Sequence, residues 1–189
     1  MKRRLPYFAP WMAAFIFCTA PCAHAVDYTR VNPAASQISF TFNQMGSRTY
    51  GTFGSFRGTL DFDTDKPAAA HASLSIDMAS IDAGSSDADT ELQKAAWFDP
   101  VTYPVGTFVS TRVQDLGHNS YLFTGNLTLK TITREVQVQV LLKPENGIGV
   151  FDGQFVLNRD AFGIGAGEWA DTVVSKDINI RFRIVAPEH

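Results

Sequence analysis

The sequence predicts an all-β fold: a closed antiparallel barrel of about eight strands, with one short helix capping an end. Three observations predict it. Apolar and polar residues alternate with a period of two along most of the chain after residue 25, which is typical of strands with one apolar face. Several alternating stretches reach about ten residues, and long strands in one small domain favour closure, which leaves no exposed edge. Glycines lie in or beside these stretches, as is typical of barrel corners. A β-sandwich is the alternative architecture.

The strands are predicted from this alternation. In the first of them Ile38, Phe40 and Phe42 share one face, and Ser39 and Thr41 lie on the other. Clear alternation predicts strands at 38–43, 56–63, 73–78, 121–130, 135–142 and 177–184, and weaker alternation predicts strands near 105–114 and 148–158. No internal repeat or linker divides them, so residues 26–189 are predicted to form one domain.

One segment breaks the strand pattern and predicts the helix. Ser86-Asp87-Ala88-Asp89 fits a capping box, and acidic residues in a first turn suit the helix dipole. The helix is predicted to run for about ten residues and to end near Trp97 and Phe98, because Asp99-Pro100 disfavours continuation. It would place Leu92, Trp97 and Phe98 against one end of the barrel.

The first 25 residues are predicted to be a cleaved signal peptide. Basic residues at 2–4 precede an apolar stretch at 11–17, and Ala23-His24-Ala25 has the small-x-small form of a cleavage site. The apolar stretch is short for a bilayer span, so a membrane anchor is the weaker alternative. Export from the cytoplasm is therefore expected. Both cysteines would leave with the leader, so the mature domain would have no disulfide and no Cys metal site.

Composition excludes two classes of protein. Apolar residues make up 45% of the 189, too many for a disordered chain. The net charge of −3, with scattered Lys and Arg, argues against a nucleic-acid-binding protein, which needs a clustered basic face.

A search for catalytic or metal-binding motifs finds none. His71, His118 and His189 lie in no metal-ligand spacing, and no GxSxG motif is present. The acidic string at 61–65 lacks the Gly and distal Glu of a helix-flanked calcium loop. The glycine-rich stretch at 163–167 lacks the strand-to-helix context of a phosphate loop. No catalytic residue and no metal site are therefore predicted.

Aromatic content is high, at 12% of residues. An eight-stranded barrel can be just filled by its side chains or can hold one ligand. Residue periodicity alone leaves both states open.

The order of short motifs along residues 26–187 resembles the YceI-like family of bacterial periplasmic polyisoprenoid-binding proteins. The motifs that carry the resemblance are Ser36-x-Ile38-x-Phe40, Met45-Gly46, Gly51-x-Phe53-x-x-Phe56-x-Gly58-x-Leu60-x-Phe62-Asp63, Ile76-x-x-x-Ser80-Ile81-Asp82-Ala83-Gly84, Asp89-x-x-Leu92 with Trp97-Phe98-Asp99, Tyr103-Pro104 with Phe108-x-Ser110-Thr111, Gly125-x-Leu127-Thr128-Leu129, Thr133-x-x-Val136 and Asn158-Arg159-Asp160-x-Phe162-Gly163-Ile164. The resemblance implies a lipocalin-like eight-stranded antiparallel barrel with a helical lid. It also implies a long apolar cavity for an isoprenoid chain, such as a quinone precursor or a prenyl carrier lipid.

The sequence departs from the family pattern at three positions. Gln44 and Glu91 stand where many members have His, and Thr131 replaces a common Gly. The first two would lie near the polar end of the ligand, so the departures concern the head group and not the apolar tail.

Expected site residues follow from the apolar faces and the resemblance together. The expected cavity lining is Phe40, Phe42, Phe53, Met78, Leu92, Trp97, Phe98, Phe108, Phe123, Phe155, Phe162 and Trp169. The expected head-group region is Gln44, Glu91, Arg159 and Asp160, with Arg159 and Asp160 either forming a structural ion pair or meeting the head group.

The resulting hypothesis is a non-catalytic protein that transports or sequesters an isoprenoid lipid or isoprenoid quinone, with no other cofactor. One alternative is a lipid-modifying enzyme using Glu91 or Asp89 as a general base. Another is a filled barrel that contacts a membrane redox protein. Transient membrane contact and a monomeric or dimeric state are also expected.

Overall fold

The computed structural model describes residues 26–165 and 173–189. The predicted leader and Trp169 lie outside these residues. The described part contains one α-helix, α1 (Ser86–Leu92), short 3-10 helices at Pro33–Ala35, Pro67–Ala69, Met78–Ser80 and Arg159–Phe162, and eleven strands. The strands are β1 (Asp27–Arg30), β2 (Gln37–Gln44), β3 (Ser47–Phe53), β4 (Phe56–Asp63), β5 (His71–Asp77), β6 (Ile81–Asp82), β7 (Val105–Gly117), β8 (Ser120–Leu129), β9 (Ile132–Glu145), β10 (Ile148–Asn158) and β11 (Asp177–Pro187).

All eleven strands form one antiparallel sheet, in the order β1-β4-β5-β7-β8-β9-β10-β11-β2-β3-β6. The all-β prediction is confirmed, but the predicted count of about eight is lower than the eleven described. The three additional strands are β1, β3 and β6. β1 and β6 have four and two residues, too few to show alternation. In β3 the buried position is Gly51, so a glycine hides the apolar face.

The sheet curls in the manner of a lipocalin-like barrel. β3 leads into β4 through Gly54 and Ser55, and β5 leads into β6 through the 3-10 turn at Met78–Ser80. The Gly54 N–H donates to the Ser80 carbonyl at 2.9 Å, and the Asp77 N–H donates to the Ser55 carbonyl at 3.0 Å. Both bonds run between the Gly54–Ser55 link and the segment from Asp77 to Ser80. At these two places the chain passes between one end of the strand order and the other.

The helix is shorter than predicted and begins with a different cap. The Ser85 hydroxyl, not that of Ser86, accepts the Ala88 N–H. The Asp89 carboxylate accepts the Ala83 N–H at 2.7 Å, which fastens the helix to the preceding segment. α1 ends at Leu92 after seven residues, and turns occupy the chain as far as Phe98. No described helix is long and apolar enough to cross a membrane.

The turns that follow α1 are tied to one end of the barrel. The Lys130 ammonium group donates to the Ala95 carbonyl at 2.7 Å. The Gly165 N–H donates to the Ala96 carbonyl at 2.8 Å. The prediction that this segment caps a barrel end therefore agrees with these contacts. We call this the helix end.

The opposite end is packed shut by aromatic rings. Phe62 contacts Tyr121 and Phe151 edge-on, with ring centroids 4.9 and 5.4 Å apart, and Tyr28 packs on Phe151 at 5.3 Å. Tyr28 and Phe62 are fully buried. Burial raises the pKa of both Tyr28 and Tyr121, and the negative charge of Glu188 raises that of Tyr28 further. Leu142 is buried in the same cluster. We call the group Tyr28, Phe62, Tyr121 and Leu142 the plug.

Candidate functional site

A cavity runs through the barrel between the plug and the helix end. Its volume is about 190 Å³, counted as space open to the centre of a water-sized molecule. One water needs only roughly 10–15 Å³ by that measure, so this space is not a packing defect. All but four of the described lining residues are apolar, and the exceptions are Gln44, Thr59, Glu91 and Arg159. A space with such an apolar lining suits an apolar chain and not a cluster of waters.

Strands β10 and β11 show where the interior changes from packed to open. Near the plug, Phe151 and Ile184 are buried. Further along the same inward faces, Phe155, Ile180 and Phe182 are only half-buried, although they line the cavity and do not face the outside. Their remaining exposed surface therefore lies against the cavity that the described residues leave open. This pattern distinguishes an open barrel from a filled one.

Glycines allow large rings to lie flat against the wall. Phe182 faces Gly153 directly across β10 and β11, and Phe40 faces Gly51 across β2 and β3. A Cβ atom placed on Gly153 would lie within 2.8 Å of three carbons of the Phe182 ring. Only glycine permits so close an approach, and each ring consequently sits in the wall instead of across the cavity.

Three polar lining residues lie at the helix end: Trp97 links Glu91 to Arg159, and Val174 links Arg159 to Gln44. The Trp97 indole N–H donates to Glu91 Oε1 at 3.2 Å, and Lys94 pairs with the other carboxylate oxygen. The Arg159 guanidinium lies 5.7 Å from the Trp97 ring centroid, in cation–π contact. Gln44 forms a β-bridge with Val174, whose carbonyl accepts from Arg159 Nη2 at 3.2 Å.

Arg159 is 3% exposed, and its hydrogen bonds hold together the chain segments around the opening of the cavity at the helix end, which we call the mouth. Its guanidinium donates to the carbonyls of Ser175, Ile164 and Gly165 at 3.0–3.2 Å, in addition to that of Val174. It also pairs with Asp160 at 3.0 Å. A buried cation is tolerated only when it is paired and hydrogen-bonded, and this one is.

The structure places most of the expected site residues around the cavity. Ten of the twelve expected lining residues line it, and so do Gln44, Glu91 and Arg159. Phe162 is buried but does not line it, because it lies in the 3-10 helix after β10 and outside the strand alternation. Asp160 is also absent from the lining and pairs with Arg159 and Lys176. Trp169 lies outside the described residues. That these residues bind a ligand stays a prediction.

The expected lining left out most of the aliphatic part of the wall, although it included Leu92. Residues such as Ile178, Ile180 and Ile184 line the cavity beside Phe182. They share the parity of Phe182 in the predicted strand, so period-two alternation could have found them. The expected lining consisted of aromatic residues apart from Met78 and Leu92, and so left these isoleucines out.

Comparison with known proteins gives one family and several relatives. The model of the YceI-like domain family matches residues 29–186. Protein YceI of Escherichia coli O157:H7 is 31% identical over 171 residues, which are 89% of this chain and 83% of that protein. BcnA of Burkholderia cenocepacia has a crystal structure with a TM-score of 0.80 and 37% identity, covering 82% of this chain and 99% of that one. A polyisoprenoid binding domain from Saccharophagus degradans shares the fold, with a TM-score of 0.64, 16% identity and coverage of 87% and 99%.

Proposed function

Because the chain belongs to the YceI-like domain family, we propose that it holds the tail of a long isoprenoid lipid or isoprenoid quinone in the barrel cavity. It transports or sequesters this lipid without converting it. The observation that carries the proposal is the half-buried apolar face of β10 and β11 around an open interior. A fold shared with a polyisoprenoid binding domain supports the choice of ligand class.

The energetics set a minimum length for the tail. Burial of one methylene-sized group contributes about 0.8 kcal/mol. Association costs about 4–15 kcal/mol, and micromolar affinity needs about −8 kcal/mol net. A gross gain of about 12–23 kcal/mol therefore requires about 15–29 buried carbons, or roughly three to six isoprene units. We expect shorter prenyl compounds to bind weakly.

We infer that eight strands enclose this tail. β3 with β4, and β5 with β6, then act as two interrupted strands, joined by the hydrogen bonds at Gly54 and Asp77. β1 lies outside the count, beside β4 at the plug. Closure supports the proposal because a closed wall shields the tail from water on all sides.

We further infer that the protein acts in the periplasm, after removal of residues 1–25. The sequence pattern of the leader supports this. Cell fractionation should find the protein with periplasmic markers, and sequencing of its amino terminus should begin at Val26. A protein that retains residues 1–25 in the membrane fraction would contradict export with cleavage.

The two alternatives have less support. A filled barrel that serves only for protein contacts does not account for the cavity. A general base at Asp89 is poorly placed, because its carboxylate accepts the Ala83 N–H and Asp89 does not line the cavity. Glu91 does line it, and its oxygens are engaged by Trp97 and Lys94.

Native mass spectrometry of the protein purified without detergent tests the proposal. We expect an extractable prenyl lipid in the wild type. Val138 lines the cavity on β9, whereas Val156 on β10 is 58% exposed on the outside. Val138→Phe should reduce the amount of bound lipid or select a shorter tail, and Val156→Phe should match the wild type. A wild type that carries no lipid and takes up none when prenyl lipid is added would refute the proposal.

A further inference from the structure

The mouth of the cavity has a distinct electrostatic character. At the helix end the described lining residues present one carboxylate, one carboxamide and one guanidinium, from Glu91, Gln44 and Arg159. The guanidinium is the only cationic group among them. Whether the mouth suits an anionic head group therefore depends on how Arg159 and Glu91 are already engaged.

Arg159 is committed to the protein itself. Its Nε, Nη1 and Nη2 atoms donate to four backbone carbonyls and to the Asp160 carboxylate. Nε and both N–H groups of Nη1 are engaged in these contacts, and Nη2 donates to Val174. An anion at the mouth would compete for Arg159 with carbonyls buried with it, such as those of Ile164 and Val174. Leaving such carbonyls unpaired is unfavourable.

Glu91 is in the opposite situation. Its side chain is 14% exposed and lines the cavity, and its two oxygens accept from Trp97 and Lys94. A carboxylate has about four lone-pair sites, so it can accept a further hydrogen bond. Lys94 offsets part of this negative charge, but it is 59% exposed and does not line the cavity. The charge that the cavity side presents to a second anion is therefore that of the carboxylate, which repels it at short range.

We infer that the cavity selects an isoprenoid whose head group is an uncharged hydroxyl, alcoholic or phenolic, which donates to Glu91, over a prenyl diphosphate. The inference rests on the proposed function, because it concerns the polar end of the same bound lipid. Glu91 then acts as the specificity-determining residue. The apolar wall binds the tail in either case.

Two compounds with the same tail separate these head groups. Calorimetry of delipidated full-length protein would measure the dissociation constants of geranylgeraniol and geranylgeranyl diphosphate at one ionic strength. The readout is the ratio of the diphosphate constant to the alcohol constant. We expect the wild type to prefer the alcohol by about tenfold or more, which corresponds to about 1.4 kcal/mol. Because a diphosphate is also better hydrated, the decisive evidence is how this ratio changes in variants.

Three variants test whether charges at the mouth determine the ratio of the two dissociation constants. Glu91→Gln keeps the size and the oxygen that accepts from Trp97 but removes the charge, so the ratio should fall by about tenfold. Gln44→Glu adds a charge at the mouth, so the ratio should rise. Asp87→Asn removes a charge from an exposed position of α1 and should leave the ratio unchanged. Melting temperatures establish that each variant is folded, and Gln44→Glu tests the inference independently if Glu91→Gln does not fold.

The outcomes separate this inference from the proposed function. If neither compound binds to the wild type, the proposed function fails and the inference fails with it. If both bind but the diphosphate binds as tightly or more tightly, the inference is overturned while lipid binding stands. The same holds if the folded Glu91 and Gln44 variants leave the ratio where it is in the wild type.

Discussion

Replacing Gly153 with alanine should both destabilise the barrel and narrow its cavity. In the wild type the Phe182 ring lies on Gly153, directly across the β10–β11 pair. An alanine Cβ would come within 2.8 Å of three of its ring carbons, whereas real Cβ atoms essentially never approach another heavy atom closer than 3.0 Å. The two positions share the inward face, so the ring must move towards the centre of the cavity.

The expected cost follows from overpacking. Inserting a methyl group into a packed wall typically costs about 1–3 kcal/mol. For a chain of this size each kcal/mol lowers the melting temperature by about 2–4 °C, so the expected decrease is roughly 2–12 °C. Gly54→Ala is the matched control, because its Cβ would lie 3.4 Å from the Ser80 carbonyl oxygen, in ordinary contact. Its stability should equal or slightly exceed that of the wild type.

A double-mutant cycle identifies the ring as the cause. Phe182→Leu removes the ring, so Gly153→Ala should cost much less in that background than in the wild type. Prenyl lipid uptake should fall in Gly153→Ala and recover in part in the double variant. Thermal unfolding and lipid titration measure both quantities. Equal costs of Gly153→Ala in the two backgrounds would refute the role assigned to Phe182.

Two further predictions concern the helix end and the plug. Arg159→Leu should lower the free energy of unfolding by about 3–5 kcal/mol, because it leaves buried partners unpaired. Lys143→Ala, which removes an exposed pair with Asp152, should cost less than about 1 kcal/mol in the same denaturant titration; similar costs would contradict the anchoring role of Arg159. Burial raises the pKa of Tyr28 above 10.0 in the folded protein. The neutral phenol therefore contributes fully to the free energy of unfolding below pH 10, and this contribution is lost as the pH rises through the folded pKa. Tyr28→Phe should therefore weaken the alkaline loss of stability, and an unchanged pH profile would contradict this.

Much of the fold could be predicted from the sequence because alternation is a local signal. Each of the eight predicted strands corresponds to a strand of the sheet. The signal failed where strands were too short, as in β1 and β6, or where a glycine occupied the inward position, as at Gly51. The helix was predicted too long because local capping and spacing do not reveal that turns from Lys94 onwards are held by contacts with the barrel end.

The inward-facing residues of the candidate site could also be predicted from the sequence, whereas their separate roles could not. The sequence indicated Phe40, Phe108 and Phe123 as inward-facing, and the structure places them on the cavity wall. It did not distinguish Phe123, which lines the cavity, from Phe62, which belongs to the plug, although both belong to alternating strands. Whether Arg159 meets a ligand or holds backbone carbonyls was equally undetermined, since its partners at 164–165 and 174–175 lie outside the strand pattern.

The sequence by itself determined which side chains face inward, because that choice depends only on the two-residue period of an extended chain. Only the tertiary structure decided whether the inward side chains meet. Around Phe62 rings from distant strands touch, and around Phe182 a glycine on the neighbouring strand lets the ring lie in the wall. An open cavity depends on distances between residues far apart in the chain, and no local pattern contains those distances.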